Sequence, residues 1–309
     1  MRILHEPRPA PIRDDSIFGV AISPDGSLLA SAGGYMLPKK GRGEIRLWNL
    51  ADGSPPVTLH ENRNFARCVA FSPDGRYLAA ASGDRSIRIW HLPDLKPTVL
   101  KGHTRVPTCL IFSPDGQRLA SGSANQGAGA VARSGGGEVI SWPHPFQQSD
   151  WTHPEGGGVW GMCFAANGKS ILFGQRSLRT LAVHGTEARE VLPSPKCYVR
   201  IVELAPDGAT VAACTDKGIV LLEEKTRTVR NVIPKVQRVN CAAFSPDSRI
   251  LATGHGDGSV RLWNVADGTA AGALNWSFAN VRGITFAPNG MTAAACGTGK
   301  VNLVVWDAQ

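Results

Sequence analysis

"CVAFSPDGRYLAAAS" (residues 68–82) sets two short runs of apolar and small residues on either side of Ser72-Pro73-Asp74-Gly75. Pro presets φ for the first turn position, Asp bonds the turn backbone and Gly takes the strained exit, so the stretch reads as a β-hairpin. The same string returns in variants that begin at Ser23, Ser72, Ser113, Ala165, Ala205, Ser245 and Ala287, seven copies spaced about 40 to 52 residues apart. That period is longer than most helical repeats and implies one small β unit per copy. A third run follows in most copies: "EIRLWNL" (44–50), "SIRIWHL" (86–92), "EVISWPH" (138–144), "SVRLWNV" (259–265) and "NLVVWDA" (302–308). Five of the eight tryptophans sit in these runs, and Leu181 and Leu222 replace the indole in copies four and five, so the position is apolar throughout.

The 309-residue chain is 42% hydrophobic and 19% charged, with 35 Gly and 21 Pro spread along it, which fits a globular chain of many turns and not a disordered one. No uninterrupted apolar run approaches the ~18 residues a membrane helix needs. The opening "MRILHEPRPAPIRDDS" has no signal-peptide apolar region, so a cytoplasmic protein without membrane association is expected. Of seven cysteines, Cys68, Cys109 and Cys241 stand four residues before their turns, and Cys214 and Cys296 nine residues after the start of theirs. Equivalent sites on neighbouring repeats diverge beyond the Cα separation that a disulfide tolerates, so buried, reduced thiols are expected.

These motifs resemble the WD-repeat β-propeller family. The likeness is carried by the Phe-Ser-Pro-Asp-Gly hairpin, "LASGS" (119–123), Gly102-His103, the pairs Asp84/Trp90 and Asp257/Trp263, and Trp306-Asp307, and it covers nearly the whole chain. It implies an all-β fold, a seven-bladed β-propeller of four-stranded antiparallel blades with the first strand innermost, in a single domain over residues 1–309. In that family a His, a Ser or Thr, an Asp and the Trp tie a blade together. Here blade 3 offers His103, Ser121 and Trp142 without an Asp before the Trp, and blade 6 offers Thr253, Asp257 and Trp263 without a matching His. A patchy tie is expected, with packing supplying more of the stability. Copy seven ends after its third strand, while "RILHEP" (2–7) repeats the pattern of "VTLHEN" (57–62). Residues 2–5 are therefore expected to pair with 302–307 and close the ring, the alternative being a frayed tail of chance likeness.

Several fragments carry less than their spelling suggests. "NGKS" (167–170) imitates the end of a phosphate-binding loop, but the required earlier Gly is Cys163 and the segment falls on a hairpin. In "GHGDG" (254–258), His255 and Asp257 are too few to fill a coordination shell and read as a turn residue and a structural Asp. "SGGGE" (134–138) and "PEGGG" (154–158) read as flexible loops, and "NWS" (275–277) as an idle sequon. No metal and no cofactor are expected.

The residue five before each turn is, in order, Phe18, Arg67, Thr108, Trp160, Arg200, Asn240 and Arg282; two earlier stand Ser16, Phe65, Val106, Gly158, Tyr198, Arg238 and Asn280. Neither row holds a carboxylate, so a calcium cage lacks charged ligands there. Glu203 is the one acid within an innermost strand. It could act as a general acid or base, but a solvated or Arg-paired group is the expected reading, and no nucleophile-base-orienter set emerges.

The resemblance implies that the fourth-to-first and second-to-third strand loops share one face, the top. That face gathers Arg63, Arg67, Arg105, Lys196, Arg200, Lys235, Arg238 and Arg282, with Lys39, Lys40, Arg42 and Arg133 from two insertions. The opposite face collects Asp25, Asp74, Asp115, Asp207 and Asp247, together with Asp52, Asp94, Glu223, Glu224 and Asp267. A net charge of +8 so divided steers an anionic partner to the top, where Arg supplies bidentate geometry and aromatics supply anchors. The expected partner-binding residues are Phe18, Phe65, Arg67, Trp160, Tyr198, Arg200, Arg238 and Arg282, although the aromatics could instead plug the channel. The function expected is that of a non-enzymatic protein-protein interaction scaffold, a monomeric propeller within a larger assembly, that docks an acidic or phosphorylated protein segment. Nucleic acid, with bases stacked on the aromatics, is the alternative, and a hydrolase using Glu203 the weaker one.

Overall fold

The computed structural model describes residues 2–3, 16–35, 42–52, 54–62, 64–124, 136–192, 198–234, 236, 239–299 and 302–308. Each Ser/Ala-Pro-Asp-Gly string closes a hairpin as the sequence requires. In the second copy the Ser72 hydroxyl donates to Asp74 at 2.5 Å and accepts from the Tyr77 N–H at 2.9 Å, while Asp74 accepts from the Arg76 N–H at 3.0 Å. Gly75 then takes φ +71°. In the sixth copy Ser248 occupies the glycine position at φ +61°, and its hydroxyl accepts the Asp207 N–H of the preceding copy at 3.0 Å. A cross-copy hydrogen bond offsets the backbone cost there.

The strands form seven four-stranded antiparallel sheets, the blades of a β-propeller, and no helix occurs among the described residues. Blade 1 runs from Ser16 to Asn62, blade 2 from Ala66 to Leu100, blade 3 from Val106 to Glu155 and blade 4 from Met162 to Leu192. Blade 5 runs from Val199 to Pro234 and blade 6 from Val239 to Asn275. Blade 7 takes three strands from Phe278 to Asp307 and its outer strand, Arg2–Ile3, from the start of the chain. Arg2 pairs with Val305 and Ile3 with Val304, as Val57 pairs with Leu47 and Thr58 with Arg46 in blade 1. The two segments alike in sequence therefore occupy the same register, and the ring is closed as expected. Leu4 and His5 lie outside the described residues. First strands of successive blades lie against one another all the way round, the last against the first, and so surround the central axis.

The core is divided by the same geometry. Seven apolar clusters each span one blade-to-blade interface, as where Ile87 and Leu100 of blade 2 meet Leu119 and Trp142 of blade 3. Trp48, Trp90, Trp142, Trp263 and Trp306 stand in one register, opposite Leu29, Leu78, Leu119, Leu251 and Ala293, and Leu181 and Leu222 hold that place in blades 4 and 5. A blade has two apolar faces and no interior of its own, so stability comes from stacking.

Two expectations about the tie within blades are corrected. In blade 3, Glu138 supplies the carboxylate: His103 Nδ1 lies 3.0 Å from Glu138 Oε1 and Nε2 lies 2.7 Å from Ser121 Oγ, which also accepts from Trp142 Nε1 at 2.8 Å. In blade 6 the imidazole comes from the strand itself, with His255 Nε2 2.9 Å from Thr253 Oγ1 and Trp263 Nε1 donating to that oxygen at 2.8 Å. In blade 1 Trp48 Nε1 likewise donates to Ser31 Oγ, at 3.0 Å. The glycine runs are corrected too, since Gly137 and Glu138 open the third strand of blade 3 and Glu155 ends its outer strand as a buried residue.

Candidate partner-binding site

Six of the seven ring residues are the bulged residue of their innermost strand. The register skips from Ile17 to Gly19 past Phe18, from Ala66 to Cys68 past Arg67 and from Pro107 to Cys109 past Thr108. It skips again past Arg200, Asn240 and Arg282. A bulge leaves its residue off the ladder and re-aims the side chain, so the same device on six blades presents one residue apiece at one end of the channel. In blade 4 the inner strand, Met162–Phe164, starts later, and Trp160 precedes it.

These side chains fall into three kinds. Thr108 and Asn240 are committed to the fold: the Thr108 hydroxyl donates to the Val159 and Gly122 carbonyls, and Asn240 Nδ2 to Asn280 Oδ1 at 2.8 Å. The aromatics meet other ring residues. Phe18 and Phe65 pack edge to face at 5.8 Å between centroids, and the Arg67 guanidinium sits 5.6 Å from the Trp160 ring, reaching from blade 2 to blade 4. Tyr198 is half-buried, anchored where its N–H donates to Asp216 at 3.1 Å. The remaining kind is cationic. Arg282 is exposed, and Arg200 is half-buried with partners of its own. Arg67 is held below the ordinary arginine value first by burial; the Cys68 and Cys109 thiols oppose the shift, and the charge of Arg282 adds to it. Neither Arg67 nor Arg282 has a carboxylate within ion-pair distance among the described residues. Arg238 lies outside them, as do Arg63, Lys39, Lys40, Arg133, Lys196 and Lys235.

At the other end of the molecule the hairpin acids have cationic neighbours: Asp74 with Arg76 at 4.0 Å, Asp247 with Arg249 at 3.9 Å and Asp94 with Lys96 at 3.6 Å. Hydroxyl and backbone donors hold Asp25, Asp115 and Asp247 below the usual carboxylate range.

Of the two readings expected for Glu203, the ion pair with an arginine is not formed among the described residues. The residue is half-buried on its inner strand, and burial alone pushes its carboxyl up to about 8. The six described cysteines are free thiols, and burial pushes Cys68 and Cys109 up to about 12 and the other four further in the same direction. Such thiols are poor nucleophiles at neutral pH. His103, Ser121 and Glu138 form an array that sequence reasoning missed, because a Glu stood where an Asp was sought. Ser121 is 0% exposed and its oxygen is already shared by His103 and Trp142, so the array ties the blade and meets no substrate. No group of His, Cys, Asp and Glu among the described residues could hold a metal ion, and no helix of the described residues is long and apolar enough to cross a membrane.

Residues 10–49, 53–91, 96–127 and 232–264 match the family model for the WD domain, G-beta repeat. With these four repeats carried on seven blades, the chain is a WD-repeat β-propeller. It is 39% identical over 237 residues to the protein LST8 homolog of Drosophila melanogaster, a match over 72% of this chain and 59% of that protein. It is 23% identical over 263 residues to the serine-threonine kinase receptor-associated protein of Gallus gallus, a match over 83% of this chain and 69% of that one. Protein HIR1 of Chaetomium globosum is 36% identical over 97 residues, which make up 28% of this chain and only 8% of that longer protein.

Proposed function

We propose that the protein is a non-enzymatic interaction scaffold, a single propeller domain that docks an acidic or phosphorylated segment of another protein at the cationic end of its channel. The observation that carries this reading is Arg67 with Arg282: two arginines presented by bulges at one mouth, with no carboxylate within ion-pair distance of either among the described residues. Leaving cations unpaired costs stability through mutual repulsion, which an arriving anion relieves. Phe18, Phe65, Trp160 and Tyr198 give the mouth apolar walls, and Arg200 and Arg238 belong to the same set. One relative is described as receptor-associated, in keeping with a role in assemblies. A cytoplasmic location fits the free thiols. Stacking of bases is disfavoured, because Phe18 and Phe65 are already packed edge to face and the Arg67 guanidinium lies over the Trp160 ring.

The test is affinity purification with mass spectrometry, comparing the natural protein with an Arg67→Gln/Arg200→Glu/Arg282→Glu variant of unchanged circular dichroism. Specific partners are expected to disappear with the variant, and unchanged recovery rejects the site. Labelled single-stranded DNA titrated at low and high salt is expected to bind neither protein.

A further inference from the structure

A second cationic site lies away from the channel. The turn between the second and third strands of blade 2 and the connection from blade 2 to blade 3 share the end of the molecule that carries the mouth. Between them runs a groove of about 440 Å³ lined by Asp84, Arg85, Arg88, Val99, Lys101 and Gly102, with Ser86 and His103 completing it. That volume suits a few side chains of a ligand. Asp84 is fully engaged: it accepts from the Ser86 N–H at 3.0 Å and hydroxyl at 2.6 Å, and pairs with Arg88 at 2.9 Å. His103 is likewise engaged with Glu138 and Ser121. Arg85 and Lys101 are exposed, and neither has an ion pair among the described residues. The groove therefore retains two uncompensated cations beside Val99, a valine 45% exposed.

The internal repeat supplies a control. Blade 6 builds the same turn with His255-Gly256-Asp257-Gly258-Ser259, where Arg261 pairs with Asp257 at 2.9 Å as Arg88 does with Asp84. Blade 6 places a glycine at φ +84°, but blade 2 holds Arg85 at φ +71° in the equivalent position. A turn that glycine makes without strain carries a long cationic side chain in blade 2 alone of the two, a feature that points to use of that side chain.

We propose that this groove binds a doubly charged phosphoryl group on a side chain of a partner polypeptide, with the adjoining apolar residue seated on Val99. Two uncompensated cations match the charge of a phosphorylated side chain at neutral pH, whereas a single carboxylate would leave one unanswered. The inference rests on the reading above for the ligand being a polypeptide, but it concerns different residues.

The probe is the peptide Ala-Val-phosphoserine-Val-Ala, titrated into the ¹⁵N-labelled full chain, with its unphosphorylated form and inorganic phosphate alongside. Amide shifts at Arg85, Lys101 and Gly102 are expected with the phosphopeptide and not with the plain one. Arg85→Gly, which suits the backbone, combined with Lys101→Ala is expected to weaken binding at least tenfold, and Val99→Ala to weaken the phosphopeptide but not inorganic phosphate. Arg76→Ala, on a hairpin at the opposite end of the molecule, should leave the shifts at Arg85, Lys101 and Gly102 unchanged. Shifts confined to other residues, or full binding by the Arg85→Gly/Lys101→Ala protein, overturn the site. Equal affinity for inorganic phosphate and phosphopeptide overturns the polypeptide ligand. Failure here together with loss of partners in the Arg67/Arg200/Arg282 variant rejects the groove and leaves the channel mouth standing.

Discussion

Glu138 is buried and Glu203 half-buried, and their surroundings send the two carboxyls in opposite directions. Burial raises Glu203 with nothing to oppose it. Burial also raises Glu138, but hydrogen bonds from His103 and the Thr104 N–H, with the charge of His103, overcome it and bring the carboxyl down to about 2. The signs follow from which state holds the proton. Folded Glu203 keeps its proton up to about pH 8, whereas the unfolded chain loses it near the reference value of 4.5, so its favourable term is full below 4.5 and gone above about 8. Glu203→Gln is expected to remove a decline in Tm that the natural protein shows between about pH 5 and about pH 8, as thermal melts would record. Glu138 stabilises above 4.5 and loses that contribution as pH falls towards about 2. Ser121→Ala orphans the Trp142 N–H and a ring nitrogen of His103 in a dry interior, and urea unfolding is expected to show a loss of about 2–4 kcal/mol.

The blade is the element, and its inner strand carries both structure and site. Bulges put the ring residues at the mouth, and they depend on close backbone approaches nearby. Gly43 is one: a Cβ there would lie 1.9 Å from the Asn64 carbonyl oxygen and 2.9 Å from the Phe65 Cα. Only a hydrogen fits where the third strand of blade 1 passes the connection leading to Phe65. Gly43→Ala is expected to cost about 1–3 kcal/mol by overpacking and to displace Phe65 from Phe18, read as a lower Tm with changed near-ultraviolet circular dichroism.

For the whole molecule, closure is the property that matters most. Seven interfaces hold the core, and in blade 7 the strand that covers the Leu303–Asp307 edge comes from the other end of the chain, Arg2–Ile3. Removal of residues 1–3 bares the edge of Leu303–Asp307, and each kcal/mol lost is expected to lower Tm by roughly 2–4 °C. Light scattering should also show concentration-dependent association through the bared edge. Restoring the three residues is expected to reverse both effects.

The repeat count, the hairpins, the register of the tryptophans and the identity of the closing strand were all legible in the chain, because each is set by local chemistry that recurs seven times. Counting back from the turns also found the ring residues. It could not find the bulges, which are read only from the pairing of two strands, nor that Phe18 and Phe65 pack edge to face or that Arg67 crosses to Trp160. Glu138 and His255 escaped for a related reason: a tie is defined by where atoms meet, so a longer acid or a histidine from another position serves as well. The groove beside Arg85 depends on two segments some fifteen residues apart converging at a rim. Sequence by itself determined how many blades there are and what each contains; only the tertiary structure decided which charges go unanswered, because pairing is a property of distance in space and not along the chain.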